Sequence, residues 1–315
     1  MGAVVVGRRR GAARRRLRGR YVRWRSTAFV GVRELVYVLV RRSGLAWTLR
    51  ALGPRRRVAV LVYHNPEPRL FARHLRYIAG SSRLIPLDTL VDALHSGDWS
   101  RIPRRAVVLT FDDGHAGNRA LLDLLRGFGA RPTIFLCSQI VGTRRRYWYT
   151  AVEPRVRQEL LALPDDVRRD RLEREFGFSE TAEDADRQAL DLEELAEMLP
   201  HVDFQAHTRF HPLLPACADE RCREEVAGSK AEVERLTGRS CEHFAYPQGA
   251  YGEREVAAVR AAGFRSARTT EIGWNVPGTD PYRLKVLGMP DGASVDALAT
   301  QLAGIPLLRE LVFLR

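Results

Sequence analysis

The clearest indication of the fold class is the segment Ala106–Gly114, with the sequence AVVLTFDDG. Its first six residues are uncharged and rich in β-branched side chains, which is typical of a strand. The strand ends directly in two carboxylates and a glycine, so polar residues follow it without a linker. From residue 58 onward the chain alternates similar runs with helical patterns, and this alternation predicts βα units and a parallel sheet.

Together with six further runs, this segment gives seven predicted strands: Val58–Tyr63, Ala106–Phe111, Pro132–Ser138, Val202–Ala206, His243–Tyr246, Arg265–Thr269 and Arg283–Leu287. Helical spacing of apolar residues predicts helices over four segments: Asn118–Phe128, Leu192–Leu199, Glu220–Leu236 and Glu253–Ala262. Strands and helices in this order indicate an α/β barrel or near-barrel. Residues 143–190 are polar and highly charged, and they predict a helical insertion over about residues 143–200.

The charge of the chain is divided unevenly. Of its 315 residues, 45% are hydrophobic and 28% are charged, which excludes a wholly disordered or fibrous protein. The formal net charge is +13, but residues 1–57 hold 17 of the 51 basic residues and one of the 38 acidic ones. The remaining residues hold 34 basic and 37 acidic side chains and are close to neutral. The basic charge therefore describes the amino-terminal region and not the main domain.

Residues 1–57 are predicted to form an Arg-rich arm that contains one amphipathic helix. The helix begins after Ser26 or Thr27 and has apolar residues near helical spacing: Phe29, Val32, Leu35, Val36 and Leu39. Two interpretations stay open. The helix lies on an anionic membrane surface, or it packs against the domain behind a disordered tail.

The arm carries no recognisable membrane or export signal. Its longest apolar run, Leu35–Val40, has six residues, fewer than the roughly 7–15 of a signal peptide and the roughly 20 of a membrane span. We therefore expect a cytoplasmic protein, either free or peripheral at the inner membrane face. The four cysteines show no C-x-x-C spacing, which favours free thiols. We expect a catalytic domain over residues 58–304 and a tail over residues 305–315.

Polar residues directly follow four of the predicted strands: His64, Asp112 and Asp113, His207 and His211, and Gln248. In parallel α/β folds the carboxyl ends of the strands build the active site, so these side chains should share one rim. Asp112 and Asp113 point in different directions and should have different roles. Two histidines and one carboxylate with open coordination positions indicate a hydrolytic zinc site or a non-haem iron site.

Three segments carry a resemblance to a known family: TFDDG at 110–114, HTRFHP at 207–212 and FAYPQG at 244–249. In this order and spacing they resemble the motifs of the polysaccharide deacetylases, the NodB-homology domain of carbohydrate esterase family four. The resemblance covers residues 58 to about 300. It implies a distorted seven-stranded (β/α) barrel that removes N-acetyl groups from sugars.

The resemblance also implies roles for individual residues. Asp113, His207 and His211 would bind a divalent metal, usually zinc, and Asp112 would be the general base. The backbone N–H of Gln248 would stabilise the oxyanion, with Tyr246 beside the substrate. Supporting positions in the same motifs are Thr208, Pro247 and Gly249.

The chain departs from the family at two points. Ala245 stands where the best-known third motif has an arginine that contacts the base, a variation shared by a Phe-x-Tyr-Pro-x-Gly subgroup. The late Leu-x-His motif that supplies the general acid is missing, since no histidine follows His243. His64 is our replacement candidate, and a structural hydrogen bond at a strand end is the alternative. The aromatic segment 147–149, at the start of the insertion, is a candidate for stacking on a sugar, but core packing is the interpretation that we favour.

The sequence therefore predicts a metal-dependent N-deacetylase acting on an N-acetylated sugar unit of a polysaccharide, oligosaccharide or lipid-linked precursor. One alternative keeps the site and changes the bond to an O-acetyl ester or another amide. A second is a glycan-binding module without catalysis. Nucleic-acid binding through the arm is the weakest alternative, because the body is nearly neutral and the arm has few aromatic residues between its arginines.

Overall fold

The computed structural model describes residues 32, 34–54 and 56–305. The chain divides into two compact units, residues 52–295 and residues 1–51 with 296–315. In the smaller unit, residues 34–42 are helical and Leu45–Leu52 forms a second helix. The predicted helix start at Ser26 or Thr27 lies outside the described residues. In the part of the chain that the structure describes, no helix is both long and apolar enough to span a membrane.

The larger unit is built on parallel strands whose bounds are β1 Val58–Tyr63, β2 Arg83–Leu84, β3 Ala106–Phe111, β4 Thr133–Leu136, β5 Asp203–Ala206, β6 His243–Ala245, β7 Ser266–Ile272 and β8 Leu284–Gly288. Seven of them close a barrel in the order β1-β8-β7-β6-β5-β4-β3, and β3 pairs with β1 along its whole length. The two-residue β2 pairs with the first two residues of β3, while β4 pairs with its last two residues.

This architecture confirms the predicted seven-stranded (β/α) barrel. The bounds of β1 and β3 agree with the prediction because all six residues of each strand are buried and apolarity marks them clearly. Alternate residues of β1 and β3 join residues of β4, β6 and β8 in one apolar cluster. Strand β2 was not predicted, because two residues are too few to show a period.

The helices of this unit connect the strands and form the insertion: α1 Pro68–Ser81, α2 Leu87–Ser96, α3 Leu122–Gly127, α4 Pro154–Leu161, α5 Asp165–Phe176, α6 Leu192–Met198, α7 Asp219–Thr237 and α8 Glu253–Ala261. Between β4 and β5, the segment that precedes α6 has an apolar cluster of its own, made by Trp148, Leu160, Leu172 and Phe178. The helices α4 and α5 therefore pack as a small unit with the chain that leaves β4.

Candidate active site

The end of β3 turns sharply between its two carboxylates and the following glycine. Asp113 and Gly114 both have positive φ, 71° and 79°, and a Cβ at Gly114 would lie 2.6 Å from a side-chain carbon of Leu136. Only glycine fits such a position without strain. The turn separates Asp112 from Asp113, so that the two carboxylates have different neighbours.

A second turn follows β5 and carries the two histidines. Thr208 and His211 have φ of 67° and 61°, which few non-glycine residues adopt. The Thr208 hydroxyl donates to the His207 carbonyl and accepts from the His211 N–H at 3.0 Å, so it closes the turn. With Asp113 and Gln248, these are four of the five non-glycine residues with positive φ in the described part of the chain. Backbone strain is therefore concentrated at the carboxyl ends of the strands.

The three predicted metal ligands lie together. Asp113 Oδ1 is 3.6 Å from His207 Nε2 and 3.4 Å from His211 Nε2, and all three side chains are buried. Ligands bound at about 2.0–2.1 Å in a tetrahedron lie about 3.3 Å apart, so these distances fit a small divalent cation. The His207 Nδ1 is 2.8 Å from the carbonyl of Ala245, which leaves Nε2 unprotonated and available to bind metal.

Burial sets the protonation of this cluster. It lowers the pKa of His207, and it lowers the pKa of His211 to about 4, so both imidazoles are neutral at pH 7, as metal ligands must be. Burial alone would raise the pKa of Asp113, but the surrounding histidines outweigh it and hold that pKa well below its usual range. One of them, His115, has its Nε2 3.1 Å from Asp113 Oδ2.

Asp112 has a partner that the sequence did not reveal. Arg268 reaches both of its carboxylate oxygens, at 2.6 and 2.5 Å, and both side chains are buried. Arg268 on β7 is the register partner of Ala245 on β6, so it stands one strand away from the position of the family's arginine. The one available signal was a charged residue inside a predicted strand, since a buried arginine needs a partner.

His64 lies at the end of β1, with Nε2 3.9 Å from Asp112 Oδ2 and half of its side chain exposed. Its backbone is fixed: its N–H donates to Asp291 at 3.1 Å, and its carbonyl accepts from Asn118 at 2.8 Å. Asp291 also accepts from the Asn65 N–H at 3.0 Å. The structure therefore brings His64 to the same rim as the two aspartates and leaves its imidazole accessible.

The third motif forms a tight turn after β6. Gln248 has φ of 56°, and a Cβ on Gly249 would lie 2.1 Å from the Thr270 hydroxyl, so this close approach requires glycine. Pro247 is buried at the start of the turn. The Tyr246 ring is buried, and its hydroxyl donates to the carbonyl of Tyr282 at 3.3 Å. No contact of the described residues joins the Tyr246 side chain to the metal-ligand cluster, and its substrate role stays a prediction.

A buried carboxylate of α7 supports the histidine turn, and sequence reasoning did not identify it. Glu225 Oε2 accepts from the N–H groups of Arg209 and Phe210, at 2.7 and 3.1 Å, between the two histidines. Burial raises the pKa of Glu225 to about 7. The turn that carries His207 and His211 is therefore held from outside the barrel as well as by Thr208.

The barrel and its rim are those of a (β/α)-barrel enzyme in which three candidate metal ligands lie beside a second, buried carboxylate. Residues 100–267 match the polysaccharide deacetylase family. The match covers more than half of the chain, and the chain belongs to this family. It is therefore a hydrolase of carbon–nitrogen bonds other than peptide bonds, in a family of glycan deacetylases that generally depend on a metal.

Three solved structures resemble this chain in fold. The Streptococcus pyogenes deacetylase PplD, in complex with acetate, has a TM-score of 0.60 at 16% identity and covers 79% of this chain and 99% of its own. IcaB from Ammonifex degensii has a TM-score of 0.58 at 20% identity, and the match covers 79% of this chain and 97% of IcaB. The BpsB deacetylase domain from Bordetella bronchiseptica has a TM-score of 0.56 at 16% identity, and the match covers 76% of this chain and 98% of that domain. No curated protein matches the sequence.

Proposed function

We propose that this chain removes N-acetyl groups from N-acetylated sugar units of a polysaccharide, oligosaccharide or lipid-linked precursor, with zinc as its metal. The observation that carries the proposal is the spacing of Asp113, His207 and His211 directly beside the buried pair of Asp112 and Arg268. Membership of the family supplies the acetylated glycan as the substrate class.

Asp113, His207 and His211 would hold the cation. A divalent metal bound there would polarise the acetyl carbonyl and activate a water molecule. The His207 Nδ1 bond to the Ala245 carbonyl orients that ligand before any metal arrives. Neutral imidazoles have no proton to release on binding, so the ligand set is ready at neutral pH.

Asp112 is the proposed general base. Arg268 fixes both of its oxygens and keeps the carboxylate beside a positive charge, in a site from which water is largely excluded. A carboxylate in this position can take the proton of the attacking water. The backbone N–H of Gln248 is proposed to stabilise the oxyanion, supported by the turn that Pro247 and Gly249 form.

His64 is the proposed general acid for the departing nitrogen. It is 3.9 Å from Asp112 and exposed enough to meet a substrate. We expect His64→Gln to lower kcat by about 100-fold, the lower limit for loss of a general acid. The loss should be larger on an N-acetyl substrate than on an O-acetyl ester, because an ester needs less help from an acid when its leaving group departs.

The matched control is His95→Gln, an exposed histidine on α2 whose Nε2 lies 2.9 Å from the carbonyl of Arg265. An unchanged kcat in His64→Gln would assign His64 to the structural role at the end of β1.

An O-acetyl esterase, or a hydrolase of another amide, is the second candidate. It is favoured by one observation: no histidine follows His243, so the family's late general acid is missing. An ester needs less help than an amide when its leaving group departs. A glycan-binding module without catalysis would keep the metal site and show no turnover.

The test is acetate release from N-acetylhexosamine oligomers and from O-acetylated sugars, with zinc and with a chelator. We expect release from the N-acetylated substrates, loss with chelator, and loss in Asp113→Ala and His207→Ala. Release from the esters alone would assign the second candidate. Zinc binding without any release would assign the binding module.

The arm is proposed to contact an anionic membrane surface. In the smaller unit, Val32, Leu35 and Leu39 share one helical face and are all more than half exposed, and exposed Arg41 and Arg42 follow. Apolar residues beside arginines favour an anionic lipid surface. Co-sedimentation with anionic but not with neutral vesicles, lost on deletion of residues 1–42, is the expected result. Equal recovery with both vesicle types would contradict it.

A further inference from the structure

The insertion begins with three consecutive aromatic residues that each carry a hydrogen-bond donor, Tyr147, Trp148 and Tyr149. The sequence assigns them to core packing, and the first two are indeed fully buried. An aromatic residue placed only for its apolar surface does not need a polar atom, whereas a buried hydroxyl or indole N–H must find a partner. The hydrogen-bond partners of these three residues therefore show whether they do more than fill the core.

All three donors reach residues of the proposed metal centre. The Tyr147 hydroxyl donates to the backbone carbonyl of Asp113 at 3.0 Å. The Trp148 indole N–H donates to the backbone carbonyl of His211 at 2.9 Å. The Tyr149 hydroxyl donates to Asp113 Oδ2 at 2.7 Å. The segment 147–149 thus contacts two of the three ligands, which come from two different strand ends.

The two oxygens of Asp113 have different surroundings as a result. Oδ1 faces the Nε2 atoms of His207 and His211. Oδ2 faces away from them and lies between Tyr149 and the Nε2 of His115. A carboxylate with one oxygen occupied by two donors presents only the other oxygen to a cation.

Packing fixes the segment in this position. The Tyr147 and Tyr149 rings stack at 5.3 Å, and the Tyr149 ring meets the His211 ring edge-on at 5.2 Å. The guanidinium of the buried Arg168, on α5, lies 4.9 Å from the Trp148 ring. The donors are therefore held by the body of the insertion and not by the barrel alone.

We infer that Tyr147, Trp148 and Tyr149 are positioning residues of the metal centre, through which the insertion restricts Asp113 to one ligand oxygen and fixes the His211 backbone. The inference rests on the proposed metal site and adds a role for the insertion. Partners that orient metal ligands affect metal affinity although they never touch the metal.

The decisive variant is Tyr149→Phe, which removes one hydroxyl and keeps the ring stacking. Zinc affinity is measured on the full chain by competition with a chromophoric chelator. We expect binding about 10-fold weaker than in the unchanged protein, the lower limit for loss of such a partner. Activity should recover at saturating zinc, because Tyr149 acts through Asp113 and takes no part in the chemistry.

Tyr282→Phe is the control for loss of a tyrosine hydroxyl, because that hydroxyl donates to the backbone carbonyl of Phe264 at 2.9 Å and contacts no proposed ligand. Its zinc affinity should equal that of the unchanged protein. Trp148→Phe, which loses the bond to His211, should weaken zinc binding without abolishing it. Thermal unfolding of the metal-free proteins shows whether each variant folds.

The outcomes separate this inference from the proposed function. Unchanged zinc affinity in a folded Tyr149→Phe protein overturns the positioning role and leaves the metal site standing. A lower unfolding temperature without a change in affinity also overturns it, because the hydroxyl would then serve only the fold. A chain that binds no zinc before any substitution overturns the metal centre itself, and this inference with it.

Discussion

At the scale of single residues, the contact between Asp112 and Arg268 shows how one strand can supply a side chain that its neighbour lacks. Ala245 and Arg268 are register partners on β6 and β7, and both are buried. Register partners on neighbouring parallel strands project to the same side of the sheet, so an arginine at position 245 would project to the same side as Arg268. The missing arginine of the third motif is thus compatible with an intact base, provided that β7 supplies the charge.

Removal of this arginine should damage both activity and stability. We expect Arg268→Ala to lose about 3–5 kcal/mol of unfolding free energy, because Asp112 would be left as a buried charge without its partner. The deacetylation rate should fall by about 100-fold or more, since the base is no longer oriented. Chemical unfolding and acetate release measure the two effects.

The double variant Ala245→Arg with Arg268→Ala tests the equivalence of the two positions. It should recover part of the activity that Arg268→Ala loses. Arg265→Ala, which removes a half-exposed arginine that pairs with Asp92 and Glu242, is the control for charge loss. Full activity in Arg268→Ala would show that Asp112 needs no cationic partner.

At the scale of elements, two carboxylates of helix α7 hydrogen-bond to the segments that follow β4 and β5. Glu225 holds the amides of the histidine turn, and Glu232, two turns further on, accepts from Ser138 at 2.7 Å and from the Arg209 side chain at 3.0 Å. The spacing puts both carboxylates on one helix face. Gly228 lies between them, where a Cβ would be 2.9 Å from the Arg209 side chain. The helix thus fixes the loops after β4 and β5 together.

The buried Glu225 should make stability depend on pH. Burial raises its pKa to about 7 in the folded chain, above the value of 4.5 that it starts from. A carboxyl group whose pKa is higher in the folded state than in the unfolded state stabilises the fold at low pH. This contribution is complete below the pKa of the unfolded state and is lost as the pH rises to about 7. The titration of Glu225 should lower the unfolding free energy of the unchanged protein by at most about 3 kcal/mol between pH 5 and 7.5. We expect Glu225→Gln to remove this part of the fall.

Urea unfolding at several pH values measures this dependence, and Glu224→Gln, an exposed neighbour on the same helix, is the control. Equal slopes for the unchanged protein and for Glu225→Gln would show that Glu225 titrates near its ordinary pKa in the folded state.

At the scale of the whole molecule, the proposed metal site joins residues 113, 207 and 211, which come from β3 and β5 with the complete insertion between them. A cation bound to all three binds the folded chain and not the unfolded one. Zinc at 100 times its Kd should therefore add about 2.7 kcal/mol to the free energy of unfolding. Thermal unfolding with zinc and with a chelator measures the gain.

His207→Ala should lose this stabilisation, because two ligands remain. His201→Ala, a partly exposed histidine in the loop before β5, should keep it. The same zinc-induced shift in His207→Ala would place the binding site elsewhere in the chain.

Local pattern in the sequence determined the barrel and the three candidate ligands. Uninterrupted apolar runs marked β1 and β3, and residues that directly follow a strand must lie at its carboxyl end, whatever the rest of the fold does. That position predicted a shared rim, and the resemblance to the family's three motifs then assigned the ligand set and the base among the residues there. The two-residue β2 was missed because it is too short to carry a pattern.

The tertiary structure alone decided which side chains meet across the chain. Arg268 lies 156 residues from Asp112, and Tyr149 reaches Asp113 from an aromatic segment for which core packing was the favoured role. Periodicity encodes which face of an element is buried, but not what that face contacts. Those pairings depend on closure of the barrel and on the path of the insertion, because only these bring distant donors within the roughly 3 Å of a hydrogen bond.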